Sequence, residues 1–367
     1  MIPDELLLVA AFGDGEHATA AWMEWSHGRD LGALDPVELR LLPPVYRNLL
    51  DGGVPEAEIA PVVKQMARST WVRTRLLLHE AAATIHLLAS HGLDTLVLKG
   101  AALVAAGYCD AKVRPMSDFD LLVRPEQALA AASLLEAMGW RPDAPVDRRA
   151  VAFRHAVVFH KAESGCDVHW WALWDSRDAG ADRRFWDEAE LASLDGVQVR
   201  VLRPEHQLLH VIVHGTRSID TTAVRWMGDA LAVLKARGRD LAWEVFVAEV
   251  EARRLAYPVG EALAYLVETF HAAVPHQVIA ALQSRRVSRG KRRLYRPRPD
   301  NSHADAFVYL RSLRHIWLDQ KGAPILTRLL WFPRNLQYSF GVQRMRWLPV
   351  EMTRRGLRKL AARFRRT

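Results

Sequence analysis

Cysteine is almost absent. Cys109 and Cys166 are the two in 367 residues, too few for a disulfide framework, and neither sits in a zinc-holding CxxC. Both read as small buried hydrophobes. Long apolar runs are missing as well: no uncharged stretch approaches the ~18 residues of a membrane span. The opening MIPDELLLVAAFGDGE has acidic rather than basic flanks, unlike a secretion signal, so the cytoplasm is the expected compartment. No internal repeat is evident. Acid is missing from two segments. Residues 285–298 hold eight Lys or Arg and no Asp or Glu, and residues 341–367 hold nine against Glu351 alone. The whole chain carries +8, so the rest of it is net acidic.

What is present suits a globular protein. Half of the residues are hydrophobic and a quarter charged, enough to bury a core and too few charges for general disorder. The first ninety residues read as helical. Apolar residues recur at helical spacing through Pro61–His91, and Gly92 supplies the stop. The texture then changes. LDTLVL (Leu93–Leu98) reads as a strand ended by Lys99-Gly100, AALVAAGY as a short helix, and DFDLLV (Asp118–Val123) as a second strand. Pro125 opens a helix that runs to Met138. His155–Lys161 and Cys166–Ala172 are strand candidates with a hairpin turn at Glu163-Ser164-Gly165, and Val197–Leu202 is a further apolar stretch. From Pro204 the helical period returns. The expected architecture is therefore α+β, a small mixed-sheet unit embedded in a mostly helical protein. Its expected parts are an N-terminal helical region (1–91), an α/β core (92–203), a helical domain on that core (204–283) and a basic, mostly helical C-terminal region (284–367), beginning with a basic linker or surface loop over Ser284–His303.

Asp118 and Asp120 lie two apart on a predicted strand, so both side chains leave the same face, with Cα atoms ~6–7 Å apart. Carboxylates this close repel, and a desolvated one protonates unless a cation sits between them. Mg²⁺ suits the pair, being a hard ion that takes one or two carboxylates and completes its shell with water and phosphate oxygens. A D-x-D is common, and two solvated aspartates at a strand start are the ordinary alternative. Three neighbours favour the metal. Lys99-Gly100 leads from strand to helix, where glycine permits close backbone approach and the helix start offers N–H groups to phosphate. Arg114 lies on the loop before Asp118 and suits a phosphate through two hydrogen bonds, or else pairs with Asp110 or Asp118. Asp167 stands on the later strand with His169 on its face, and becomes a third acid if that strand lies beside Asp118–Val123. His169 itself reads as a positioning or core residue.

Together, L-x-L-K-G-A-A-L (Leu96–Leu103), Tyr108, Arg114-Pro115, D-F-D-L-L-V (Asp118–Val123), Gly139-Trp140 and D-V-H-W (Asp167–Trp170) resemble the uncharacterised nucleotidyltransferase family of the polymerase-beta-like superfamily. R-W-M-G-D (Arg225–Asp229) and L-R-P-E-H-Q-L-L-H (Leu202–His210) are similar to its helical half. The likeness covers roughly Arg73–Leu255. It implies a nucleotidyltransferase core in which Asp118 and Asp120 hold catalytic Mg²⁺ (Mn²⁺ as substitute), Asp167 is the third acid and metal ligand, and Lys99-Gly100 meets the triphosphate of ATP or another NTP. One departure is plain. The superfamily has Gly-Ser or Gly-Gly shortly before its first aspartate, whereas here Ala101 follows Gly100 and Asp118 comes eighteen residues after that glycine. Arg114 is the candidate replacement for the missing hydroxyl. The family pattern also sets Arg225 and Asp229 at the border of the site, against a plain i,i+4 ion pair. His210 and His214 share that spacing without an HExxH glutamate, and packing accounts for them better than zinc.

The leading expectation is transfer of an NMP from an NTP to an unidentified hydroxyl on protein, RNA or a small molecule, with pyrophosphate released. Alternatives are a γ-phosphotransferase using the same metal site, and a retired fold whose basic segments bind RNA or an anionic surface. Trp331, Phe332, Trp347 and Phe364 among the C-terminal arginines also permit a helix lying on a membrane surface, although a helical domain with core aromatics and solvated arginines is the simpler account.

Overall fold

Four helices precede the sheet in the computed structural model, which describes residues 4–174, 176–177, 180–217, 224–285 and 324–364. They are α1 (Glu5–Phe12), α2 (Gly15–Ser26), α3 (Pro36–Asp51) and α4 (Pro61–Ser90). Local chemistry sets their ends. Asp35 accepts hydrogen bonds from the N–H groups of Val37 and Glu38 (2.7 and 2.9 Å) while Glu38 accepts from the N–H of Asp35 (2.8 Å), a capping box at the start of α3. Gly92, at φ +75°, turns the chain after α4. The first three helices pack through Leu7, Trp22, Trp25, Leu41 and Leu42, a core distinct from those around the sheet.

The sheet has seven strands: β1 (Thr95–Leu98), β2 (Asp118–Val123), β3 (Arg141–Pro142), β4 (Ala156–Lys161), β5 (Ser164–His169), β6 (Glu190–Leu194) and β7 (Val197–Val201). Their order is β3-β4-β5-β2-β1-β7-β6. β1 is antiparallel to β2 and parallel to β7, and β2 is parallel to β5. Between the strands lie α5 (Lys99–Ala105), α6 (Ala128–Ala137), α7 (Arg148–Phe153) and α8 (Arg183–Asp187). Both faces of the central strands are covered. Val97, Phe119, Leu121 and Val123 pack under α4 and α6, whereas Leu96, Leu98 and Leu122 face the helical layer of α9 (Pro204–Arg217), α10 (Arg225–Arg237), α11 (Trp243–Ala252), α12 (Ala256–Phe270) and α13 (His276–Gln283). Alternation along β2 therefore buries Phe119 on one side and turns Asp120 to the other. This is the expected α+β class, a mixed sheet within a mainly helical protein.

Three local readings need correction, and one strand goes unassigned in the sequence. The β4–β5 turn is Ala162-Glu163, with Ala162 at φ 50°, and Ser164 and Gly165 already belong to β5. Gly165 is there for packing: it lies across from Asp118, and a Cβ would meet the Asp118 Cβ at 3.1 Å. Glu190–Leu194, which the sequence leaves unassigned, is a strand, since Asp195-Gly196, at φ 48° and 83°, forms the tight turn that pairs it with β7. The helix after Pro125 begins as a 3-10 turn, Pro125–Gln127, before α6. α5 begins at Lys99 itself, with no break at Gly100.

At the C-terminus, α14 (Ile325–Ser339) and α15 (Leu348–Phe364) follow. Trp331 and Tyr338 pack on Phe153 (6.2 and 5.7 Å between rings), whereas Trp347 is exposed. Glu351 pairs with Arg354 and Arg355. The expected basic linker over Ser284–His303 lies, from residue 286 on, outside the described residues. Among those described, no helix is long and apolar enough to cross a membrane.

A buried ionic cluster ties the helical layer to the end of β5. Arg253, at the end of α11, reaches Glu249 (2.7 Å) and Asp182 (3.1 Å), lies over the Phe185 ring and donates to the carbonyl of Ala181. Asp182 also accepts the N–H of Ala172 (2.8 Å).

On α9, His210 is buried, with Nε2 3.2 Å from the Ala172 carbonyl. His206 is buried against Phe185, with Nε2 4.0 Å from Glu188 Oε2 and no hydrogen-bond partner for either ring nitrogen among the described residues. Among those residues no group of metal-capable side chains includes His210 or His214. Burial lowers His206 to about 4 and His210 to about 3. Their depressed values contribute stability that is complete above the unfolded value near 6.5 and is lost as the unfolded chain takes up protons below it. Between pH 6.5 and 5 each should cost about 1.5 kcal/mol. A melting temperature that falls on acidification, with a shallower fall in His206→Phe, is the expected result; identical slopes would remove His206 as a cause.

Candidate active site

Where β1 ends, the chain turns directly into α5 with Lys99 at φ 49°, a left-handed conformation that residues with a side chain rarely take. Such local strain costs on the order of 1–3 kcal/mol and persists where the surroundings over-determine it. Here Leu98 is paired with Asp120. The Lys99 side chain is mostly buried, and its Nζ is hydrogen-bonded to Asp120 Oδ1 and lies 3.7 Å from Asp167 Oδ2.

β2 and β5 are neighbours, and the parallel register pairs Asp120 with Asp167. His169, two residues beyond Asp167, shares its face. Its Nε2 is 3.1 Å from both Asp120 Oδ1 and Asp167 Oδ2. Asp120 and His169 are buried, and Asp167 is half-buried. Ligand atoms from Asp120, Asp167 and His169 all lie within 4.8 Å of one another, the single such group of metal-capable side chains among the described residues. Asp118 stands at the rim, half-buried, and its hydrogen bond comes from the Ser117 hydroxyl at 3.4 Å.

Charge is balanced internally. Burial pushes the Asp120 carboxyl up, but the Lys99 ammonium and then the hydrogen bond with His169 outweigh it, and the net value is lowered. Asp167 behaves alike: burial is overcome by the charge and hydrogen bond of His169 and by Lys99, which hold it well below the usual carboxylate range. Burial alone would lower His169, yet Asp167 and Asp120 raise it to about 9. Asp118 is raised, by burial and then by the charge of Asp120, against the pull of Lys99 and Arg225. Two carboxylates and one imbalanced neighbour at the rim leave room for a cation. The donor set fits a divalent ion: carboxylate oxygens suit Mg²⁺ or Mn²⁺, and the imidazole nitrogen is better tolerated by Mn²⁺.

Arg114 does not reach Asp110 or Asp118. Its guanidinium grips Asp229 with two hydrogen bonds of 2.8 Å, a bidentate pair. It also fills the space above Gly100, where a Cβ would lie 1.8 Å from Arg114 Nη1 and 2.4 Å from Met116 Sδ. Gly100 thus admits a close approach, and the approaching group is a side chain of this chain. Burial disfavours the Arg114 charge, but Asp229 more than offsets it. Arg225 makes no i,i+4 pair with Asp229. Its one hydrogen bond among the described residues goes to the carbonyl of Pro115 (3.3 Å), leaving a half-buried cation on the Asp118 side. Three participants were therefore undervalued in the sequence. His169 was legible from D-x-H on one strand face, and Arg225 and Asp229 from R-x-x-x-D at one helical turn, but their partners lie more than a hundred residues away for the helix pair.

The family described as "Uncharacterised nucleotidyltransferase" matches residues 37–271. No curated protein matches the sequence. Among solved structures the chain is similar to an antigenic nucleotidyltransferase-like protein from Paracoccidioides brasiliensis, with 13% identity and a TM-score of 0.34 over 60% of this chain and 96% of that one. A likeness that loose transfers no residue.

Proposed function

Because this chain belongs to the family of uncharacterised nucleotidyltransferases, we propose that it moves an NMP from ATP or another NTP to a hydroxyl of a protein, an RNA or a small molecule, releasing pyrophosphate. The observation that carries the reading is the parallel β2–β5 register, which sets Asp120 beside Asp167 with His169 touching both. Asp118, Asp120 and Asp167 are the metal-holding acids, with His169 as a further ligand. A divalent ion bound there would supply charge stabilisation at the phosphates. Of the expected phosphate-side residues, Lys99 is held by Asp120 and Arg114 by Asp229 over Gly100, so Arg225, on the Asp118 side, is the cation proposed for the phosphates. Asp167, kept ionised by His169 and Lys99, accepts the proton of the acceptor hydroxyl as its oxygen bonds to the α-phosphorus and the bond to pyrophosphate breaks.

The test is incubation of the full-length protein with Mg²⁺, a cell extract and each of the four NTPs labelled at the α- or γ-phosphate. Transfer of α-label to a discrete acceptor is expected. Transfer of γ-label alone would replace the proposal with phosphoryl transfer. Failure of both, with no binding of Mg²⁺–NTP, would return the function to the basic segments.

A further inference from the structure

Lys99 sits inside the acid group rather than at its edge. Its closest contacts and those of His169 fall on the same two oxygens, Oδ1 of Asp120 and Oδ2 of Asp167. An ion bridging these two carboxylates through those oxygens would have to displace the ammonium. The backbone resists that displacement: Lys99 follows the residue paired with Asp120, in a left-handed turn that commits its side chain to this face. Asp118, by contrast, has the Ser117 hydroxyl as its one hydrogen-bond partner among the described residues.

We infer that Lys99 is a resident cation of the centre, standing in for a second metal, so that the nucleotide-free protein takes one divalent ion rather than two. The inference rests on the metal-site reading above. With His169 neutral, as a metal-ligating imidazole must be, three carboxylates and Lys99 leave a formal charge of minus two, which a single divalent ion neutralises. A second ion would stand beside both the first and the ammonium in a largely buried site, where like charges are poorly screened. The ammonium is tethered and needs no dissociation equilibrium, so the inner position stays filled at any metal concentration.

Mn²⁺ binding to the nucleotide-free, full-length protein, followed by electron paramagnetic resonance, reads this directly. Wild type should bind one Mn²⁺ per chain. Lys99→Met, which keeps the length of the side chain and removes its charge, should bind two, or one at least ~10-fold more tightly. Lys99→Arg should bind one. Melting curves provide a second readout that does not depend on turnover: Mn²⁺ should raise the melting temperature of Lys99→Met more than that of wild type, because the variant's acids lack their counter-charge without it. Two ions in wild type, or a Lys99→Met variant with wild-type stoichiometry and affinity, would overturn the inference while leaving the metal site standing. Absence of Mn²⁺ binding in wild type and Lys99→Met alike would overturn the metal site as well.

Discussion

On the proposed function, Asp120→Asn should lower Mg²⁺-dependent nucleotidyl transfer by about 10³-fold or more, an ~4 kcal/mol increase in barrier, and leave the protein folded. The expectation follows from position. Asp120 is 3% exposed, and it alone touches Lys99 by a hydrogen bond while facing Asp167 across a parallel pair. Asparagine keeps the volume and removes the negative charge. One end of the amide still accepts from Lys99, so the turn into α5 is retained. Metal affinity is lost with the charge, because Asp167 and Asp118 must then answer the ion alone. Folding is spared because Asp167 stays 3.7 Å from Lys99 and 3.1 Å from His169. Turnover and Mn²⁺ affinity are the measurements, with circular dichroism as the control on fold. An Asp120→Asn protein with unchanged Mg²⁺-dependent turnover would falsify the assignment of the centre. Asp118→Asn should also lose activity, with less effect on stability, since Asp118 is half-buried and holds neither Lys99 nor His169 by a hydrogen bond.

The second large effect is structural. Arg253→Met should cost about 3–5 kcal/mol, a fall on the order of 10 °C in melting temperature. The side chains of Arg253, Asp182 and Glu249 are 3%, 6% and 5% exposed, so removing the guanidinium leaves two buried carboxylates. Each keeps a lesser partner: the Ala172 N–H for Asp182 and Arg184 at 3.5 Å for Glu249. Burial already raises Asp182 despite Arg253, and without Arg253 it rises further. A carboxyl raised in the folded state loses stability as pH climbs past the unfolded value, so the variant should regain stability below about pH 4. Neutralising both acids in the Arg253→Met background should recover much of the loss, because an apolar replacement of a whole buried ion cluster is often tolerated. A melting temperature within a degree or two of wild type would show that the cluster is dispensable. The consequence reaches the site, because Asp182 anchors Ala172, three residues beyond His169.

Much of this was legible locally. The spacing of apolar residues in Pro61–Ser90 and the DFDLLV run define α4 and β2, because helical and strand periods are properties of adjacent residues. Asp118, Asp120 and Asp167 were legible as one face each for the same reason. Turn chemistry was less so. Gly165 reads as a turn residue, yet it is small because Asp118 lies beside it on the next strand, a fact of pairing that no window around Gly165 contains. β6 is short and mostly solvent-facing, and becomes a strand by joining an edge.

The chain alone thus sets the elements, the acids and their shared faces, since these depend on neighbours within a few residues. It leaves open which strand lies next to β2, and so whether Asp167 is a third acid or a bystander. It equally leaves open whether Lys99 meets a phosphate or a carboxylate, and whether Arg114 is free or held by Asp229, 115 residues away. Those outcomes depend on strand order and on helix α10 crossing the loop before β2. Such contacts form only when distant segments bury a common core, and no local periodicity encodes their partners.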